Sequence, residues 1–170
     1  MNRTALTTFV TVLLVPLLAS PNPKTDLTGA WEMDSTRSES PQYGDSKQPV
    51  TLIIKQTEFD VTVETRKDGQ VETIVYRMDG TETEKRPAPD NGPYRWSARW
   101  DGSKLITQTQ RNINHTAVTV TEVLSLSANR KEMTVNRTLT VQHGYSWDKA
   151  KNYSSAKDVF VKARCKPALY

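Results

Sequence analysis

The sequence predicts an all-β chain whose antiparallel strands run up and down and curl into a barrel of about eight to ten strands, the range in which such sheets close. Three observations carry that prediction. Apolar and polar residues alternate with period two through most segments from Gly29 onward. Short turn sequences, among them Asp68-Gly69, Asp101-Gly102 and Asn114-His115, separate the alternating runs. Facing residues also match in polarity when a hairpin is closed. A type I′ turn at Asp68-Gly69 sets Val63 opposite Ile74, Val61 opposite Tyr76 and Phe59 opposite Met78 on one face. It sets Asp60 opposite Arg77 and Glu64 opposite Thr73 on the other face. A one-residue slip would turn every apolar group toward solvent, so the register is well determined.

With 170 residues the chain is long enough for one domain with a real core. Residues 1–20 stand apart. Met1 to Arg3 is a short basic start, Ala5 to Leu18 is an apolar run containing Pro16, and the small residues Ala19 and Ser20 follow. This is the pattern of a secretory signal peptide cleaved after Ala19, since the run is too short to span a bilayer comfortably; an uncleaved anchor is the competing reading. The expected location is therefore periplasmic or secreted. No cysteine follows the run, so a lipid-modified N-terminus is not indicated, and no second apolar run of that length occurs, so no membrane span is expected in the mature chain. Residues 21–28 read as a linker, 29–165 as the barrel domain and 166–170 as a C-terminal tail.

Gly29 to Met33 alternates with Trp31 and Met33 on one side. Ser35 to Pro49 is polar and Ser-rich, with almost no apolar residue for a helix to bury, and reads as a loop or lid. Val50 to Gln56 and Glu58 to Lys67 form a hairpin. Closing it at Gln56-Thr57 pairs Ile54 with Phe59, Leu52 with Val61 and Val50 with Val63. Gln70 to Asp79 is the next strand, and Gly80 to Pro93, with three prolines, is the longest loop. Tyr94, Trp96, Ala98 and Trp100 then alternate with Arg95, Ser97 and Arg99, giving a strand with an aromatic inner face. Asp101-Gly102 turns it into Lys104 to Ile113, and Asn114-His115 turns that into Thr116 to Ser127. Residues 128–131 lead to Glu132 to Gln142. His143 to Ser155 reads as a loop and Ala156 to Arg164 as the last strand, for roughly nine strands in all. Whether the first and last strands meet or leave an open edge is undetermined at this level.

Polar residues on the inner face are the candidates for function. Closing the hairpin at residues 128–131 pairs Leu126 with Met133, Leu124 with Val135 and Val120 with Leu139, and sets Glu122 opposite Arg137. A carboxylate and a guanidinium thus meet inside the barrel, either as an internal salt bridge closing one end of the core or as the polar lining of a cavity. Removing one partner of a buried pair costs about 3–5 kcal/mol. The turn at Asn114-His115 puts Leu105, Thr107, Thr109 and Arg111 on the inner face, with Arg111 near a rim as an anion contact or simply solvated. Tyr76, Tyr94, Trp96 and Trp100 either fill the core or form the apolar wall of a pocket.

Catalytic chemistry is poorly represented. The two histidines, His115 and His143, have no partner at metal-ligand spacing, so no metal or other cofactor is expected. No glycine-rich phosphate loop or nucleophile elbow is present, and the chain is not expected to be an enzyme. Lys and Arg number 23 against 19 Asp and Glu, a net charge of +4 spread as alternating signs. Without a clustered basic stripe, nucleic acid is not an expected partner. The single Cys165 can make no internal disulfide and is either incidental or an intermolecular link. Asn114, Asn136 and Asn152 head glycosylation acceptor patterns, relevant only in a eukaryotic secretory pathway.

Several segments in order resemble the small secreted lipocalin-like (calycin-type) β-barrel proteins of bacteria, most of which lack an assigned function. They are Leu27-Thr28-Gly29-Ala30-Trp31, Val50 to Gln56, Ala98 to Leu105, Val120 to Ser127 and Met133-Thr134-Val135. The resemblance implies a barrel, export and a small apolar ligand. Gly29-Ala30-Trp31 also looks like the glycine-x-tryptophan of true lipocalins, where the tryptophan closes the barrel floor under a basic residue from late in the chain. Arg164 is the arginine late enough to serve. The other lipocalin signatures and the usual disulfide are absent, so no particular lipocalin ligand is implied. Two functions follow. One is an extracytoplasmic barrel binding a small lipophilic molecule inside, with Tyr76, Tyr94, Trp96 and Trp100 as wall and Arg111, Glu122 and Arg137 as polar contacts. The other is a filled barrel whose long loops bind a protein or glycan in the cell envelope. Oligomeric state is not readable.

Overall fold

A computed structural model describes residues 24–39, 50–86, 92–113, 116–142 and 151–163. The N-terminal segment 1–20, His115, His143, Arg164, Cys165 and the tail lie outside the described residues, as do the middles of the three long loops. The ten strands are β1 (Gly29–Met33), β2 (Thr51–Gln56), β3 (Asp60–Lys67), β4 (Gln70–Arg77), β5 (Thr83–Lys85), β6 (Tyr94–Asp101), β7 (Lys104–Ile113), β8 (Thr116–Leu126), β9 (Glu132–Gln142) and β10 (Lys151–Lys162). They form one antiparallel sheet in the order β4-β3-β2-β1-β10-β9-β8-β7-β6-β5. The sheet curls into a nearly closed, up-and-down barrel.

Where turn chemistry is strong, the observed registers are those predicted. In β3–β4, Val63 faces Ile74, Val61 faces Tyr76 and Asp60 faces Arg77. Asp68 and Gly69 both take positive φ, 52° and 75°, as a type I′ turn requires. In β8–β9, Leu126 faces Met133, Leu124 faces Val135 and Glu122 faces Arg137.

Other elements differ from the sequence expectation. The β2–β3 register is displaced by four residues: Ile54 faces Val63 and Leu52 faces Thr65, while Gln56 faces Val61. Thr57 is the cause. Its Oγ1 accepts bonds from the Phe59 and Asp60 amides at 3.2 and 3.0 Å, and its amide donates to the Asp60 carbonyl. Residues 57–60 therefore become a four-residue turn in place of the expected two-residue one. Because the displacement is even, the inner faces of both strands are unchanged, but Phe59 moves out of the barrel and is 72% exposed. β4 stops at Arg77, and the expected loop 80–93 contains the short strand β5, paired to β6. The β6–β7 turn is centred on Gly102 and Ser103, since Asp101 faces Lys104. β5 makes the strand count ten, and β10 begins at Lys151, five residues before the expected start. The first and last strands pair directly, Met33 facing Phe160, so the sheet edges fall at β4 and β5 in mid-chain.

The dry core lies at one end of the barrel. The row Leu126–Met133–Phe160–Met33 crosses it, and Met133 and Phe160 are fully buried. Trp31 is the largest fully buried side chain, and its Nε1 donates to the Leu27 carbonyl at 3.0 Å. Leu27 is itself buried, and its amide donates to Gln56 Oε1. The basic group over the Trp31 ring is the Lys162 ammonium, 5.5 Å from the ring centroid, while Arg164, the sequence's candidate, lies outside the described residues. Gly29 is required beneath it: its φ is +150°, and a Cβ there would lie 3.1 Å from Lys162 Cε. Beyond β1 the chain stays against β10. The Asp34 amide donates to the Val159 carbonyl and the Glu39 amide to that of Lys157, so Val159 is buried on the outer face.

Trp31→Ala should destabilise the barrel by about 3–5 kcal/mol in chemical denaturation. Phe59→Ser, on the other side of the corrected register, should change stability by no more than about 0.5 kcal/mol. A large loss at Phe59 would restore the two-residue turn.

Candidate functional site

Antiparallel pairing lines up Ala98, Thr107, Glu122, Arg137 and Ala156 in one row across β6 to β10. Ala98 and Thr107 are buried, which fixes this row on the inner face. Arg137 donates from Nε to Glu122 Oε1 at 2.9 Å, and its Nη2 lies 2.7 Å from the same oxygen. The next row toward the packed end is Trp100, Leu105, Leu124, Val135 and Asp158. Asp158 is thus diagonal to Arg137, within reach of a long side chain, and its Oδ2 is 3.4 Å from Nη1. Thr107 donates to Glu122 Oε2 across 3.5 Å. Tyr76 completes this layer. Burial, reinforced by the Glu122 carboxylate, pushes its phenol well above the usual range against the opposing bond from Thr107, so the ring keeps its proton.

This polar layer divides a dry half of the barrel from a wet one. Asp158 is fully buried below it, whereas the inward-facing side chains of Glu122 and Arg137 keep 26% and 36% of their surface exposed. In the row above, Trp96, Thr109, Val120 and Leu139 are only half-buried although they sit on the inner face. The inward-facing side chains of the upper half therefore stay partly accessible, with apolar groups above the charged row.

The second group of predicted residues gathers at the seam where β4 and β6 approach without a backbone ladder. Trp96 Nε1 donates to the edge carbonyl of Val75 at 2.8 Å. Arg111 pairs with Glu72, and its guanidinium lies 4.1 Å from the Tyr94 ring centroid. Tyr94 and Trp96 are neighbours at 5.0 Å, and the Tyr94 hydroxyl reaches Glu72 at 3.5 Å. Burial raises the Tyr94 phenol and Glu72 adds to this, with Arg111 acting the other way. Arg111 is exposed at the rim, as its place near the turn predicts. Grooves of about 740 and 720 Å³ flank the seam, one toward Tyr94 and Arg111, the other toward Phe59 and Met78, and Trp96 borders both.

The structure thus brings Glu122, Arg137 and Tyr76 together, and separately Tyr94, Trp96 and Arg111. Trp100 packs against the dry core. Sequence reasoning placed Thr107 on the inner face without a role and missed Asp158 and Glu72. Glu72 shares the inner parity of Ile74 and Tyr76, a signal that was available. Asp158 had none, because its register depends on where β10 begins. Among the described residues no group of acidic, histidine or cysteine side chains could hold a metal ion, and no helix is long and apolar enough to cross a membrane.

No family model and no curated protein matches the sequence. Solved structures do. A REP1-NXSQ fatty acid transporter aligns with TM-score 0.54 and 12% identity over 82% of this chain and 98% of its own. A heat-soluble (SAHS) protein from Ramazzottius varieornatus aligns with TM-score 0.57 and 13% identity over 85% and 100%. The apo form of Caenorhabditis elegans lipid binding protein 8 aligns with TM-score 0.51 and 17% identity over 82% and 99%. Identities this low show the shared fold alone, a ten-stranded antiparallel β-barrel.

Arg137→Met should cost about 2–4 kcal/mol, because it removes the guanidinium that Glu122 and Asp158 share, and partial wetting of the guanidinium keeps the loss below that of a fully dry pair. Adding Glu122→Gln and Asp158→Asn to it should recover most of that loss in the same denaturation assay. No recovery in the triple variant would mean that the layer stabilises through shape, not charge.

Proposed function

We propose that the protein binds a small lipophilic molecule in the upper lumen and does not transform it. The observation that carries this reading is the incomplete burial of the inner face. Arg137, Val120 and Leu139 face inward and yet remain accessible, which a filled barrel would not allow. A lumen of this kind, mostly apolar with a few convergent polar groups, is the usual form of a small-molecule site. Val120, Leu139 and Trp96 form its wall, Glu122 and Arg137 its floor, and Tyr94 and Arg111 stand at the mouth. Tyr76 and Trp100 back the floor from the packed side. Binding is driven by burial of apolar area, about 25 cal/mol per Å² before the costs of association. The structural neighbours include one named as a fatty acid transporter and one as a lipid binding protein, which supports the same reading.

Location belongs to the proposal as well. The basic start, apolar run and small residues of segment 1–20 support export, so the molecule would be met in the periplasm or outside the cell.

Val120→Trp should fill the lumen one row above the floor without disturbing the dry core. A neutral hydrophobic fluorophore such as N-phenylnaphthylamine should bind the wild type and lose at least about tenfold in affinity with this variant. An unchanged affinity in a folded Val120→Trp protein would place binding outside the lumen and favour the loop-docking alternative.

A further inference from the structure

We infer that the lipophilic molecule enters and leaves the barrel sideways, through the seam between β4 and β6, with the Trp96 indole as its door. This deepens the lumen-binding reading and rests on it. Neighbouring strands elsewhere in the sheet are joined by a backbone ladder; between its two edges, β4 and β5, there is none. Parting a ladder breaks a row of amide bonds and is a local unfolding event, whereas parting the seam needs only side chains to turn. Among the described residues, the polar contacts across it are those of Trp96 Nε1 with the Val75 carbonyl and of Arg111 and Tyr94 with Glu72. The Glu72 and Arg111 side chains are about half exposed, and an ion pair so wetted holds little. The main fastening is then one neutral hydrogen bond, whose net contribution is modest.

Trp96 stands between two grooves. The first, of about 740 Å³, is lined by inward-facing side chains from both sides of the seam, Glu72 and Ile74 on one and Tyr94 and Arg111 on the other. The second, of about 720 Å³, is lined by outward-facing Val75 and Arg77 and by Phe59. Turning this one indole joins the inward groove to the outward one. The surface along that path is apolar as well. Phe59, Val71 and Val75 are the large hydrophobic side chains left exposed among the described residues, and all three border these grooves. Exposed apolar groups gathered in one place mark a contact site, and here they give a lipophilic molecule a foothold beside the door. Phe59 is among them because the turn at Thr57 carries it out of the barrel.

The test is stopped-flow binding and release of N-phenylnaphthylamine. Trp96→Phe removes the indole N–H and should raise the association rate constant at least about threefold. Loss of a wall contact alone would speed dissociation and leave association unchanged. Thr83 faces Trp96 in register and borders the outward groove. Thr83→Trp should wedge the door, slowing association and dissociation together by at least about threefold with Kd unchanged. An unchanged association rate constant in either folded variant overturns the inference. Thr83 lies on the short edge strand β5, so the second variant decides even where the first does not fold. No binding by the wild type, or binding that Val120→Trp leaves intact, overturns the lumen-binding reading instead.

Discussion

The barrel depends on the pairing of β1 with β10. Without it the sheet is two separate meanders, β4-β3-β2-β1 and β10-β9-β8-β7-β6-β5, each held by hairpins that are local in sequence. Joining them brings Met33 to Phe160 and Trp31 to Lys162 across most of the chain, and that closure costs entropy that local hairpins do not. The compensation is concentrated at the joint. Trp31, Phe160, Met133 and Leu27 are fully buried apolar groups there, and Gly29 lets the backbone lie under the Lys162 side chain. The dry end of the barrel is where it is because the joint is there.

Closure at one place leaves the opposite seam open, and the protein treats it differently. Between β4 and β6 the edge carbonyl of Val75 is satisfied by the Trp96 indole, and Glu72 holds Arg111. Side chains here do what a ladder of amides does elsewhere. An exposed strand edge invites pairing with another chain, so a side-chain closure also blunts that hazard. Such a closure is more easily altered by substitution than a ladder, because it depends on particular residues and not on backbone groups every residue carries.

The polar layer sits where these two halves meet. Placing two carboxylates and a guanidinium on the inner face weakens the core relative to apolar packing of the same volume. Below it the rows are dry; above it they are wet. The layer therefore marks the level above which inward-facing side chains stay partly accessible.

The sequence by itself determined the antiparallel barrel, the inner and outer faces and the Glu122–Arg137 contact. Alternation with period two sets the faces, and the tight turns at Asp68-Gly69 and at residues 128–131 set two registers without reference to the rest of the chain. Even the misread β2–β3 turn kept its faces, because its error was an even number of residues. What only the tertiary structure decided were the long-range features. The β1–β10 joint, the start of β10 and the seam between β4 and β6 link segments separated by long loops whose length does not specify a register. Asp158 enters the site through the β9–β10 pairing, where it faces Val135 diagonal to Arg137, and Glu72 enters through the seam. The Glu122–Arg137 pair was legible because a tight hairpin makes it; Asp158 was not, because the long connection between β9 and β10 does not specify their register.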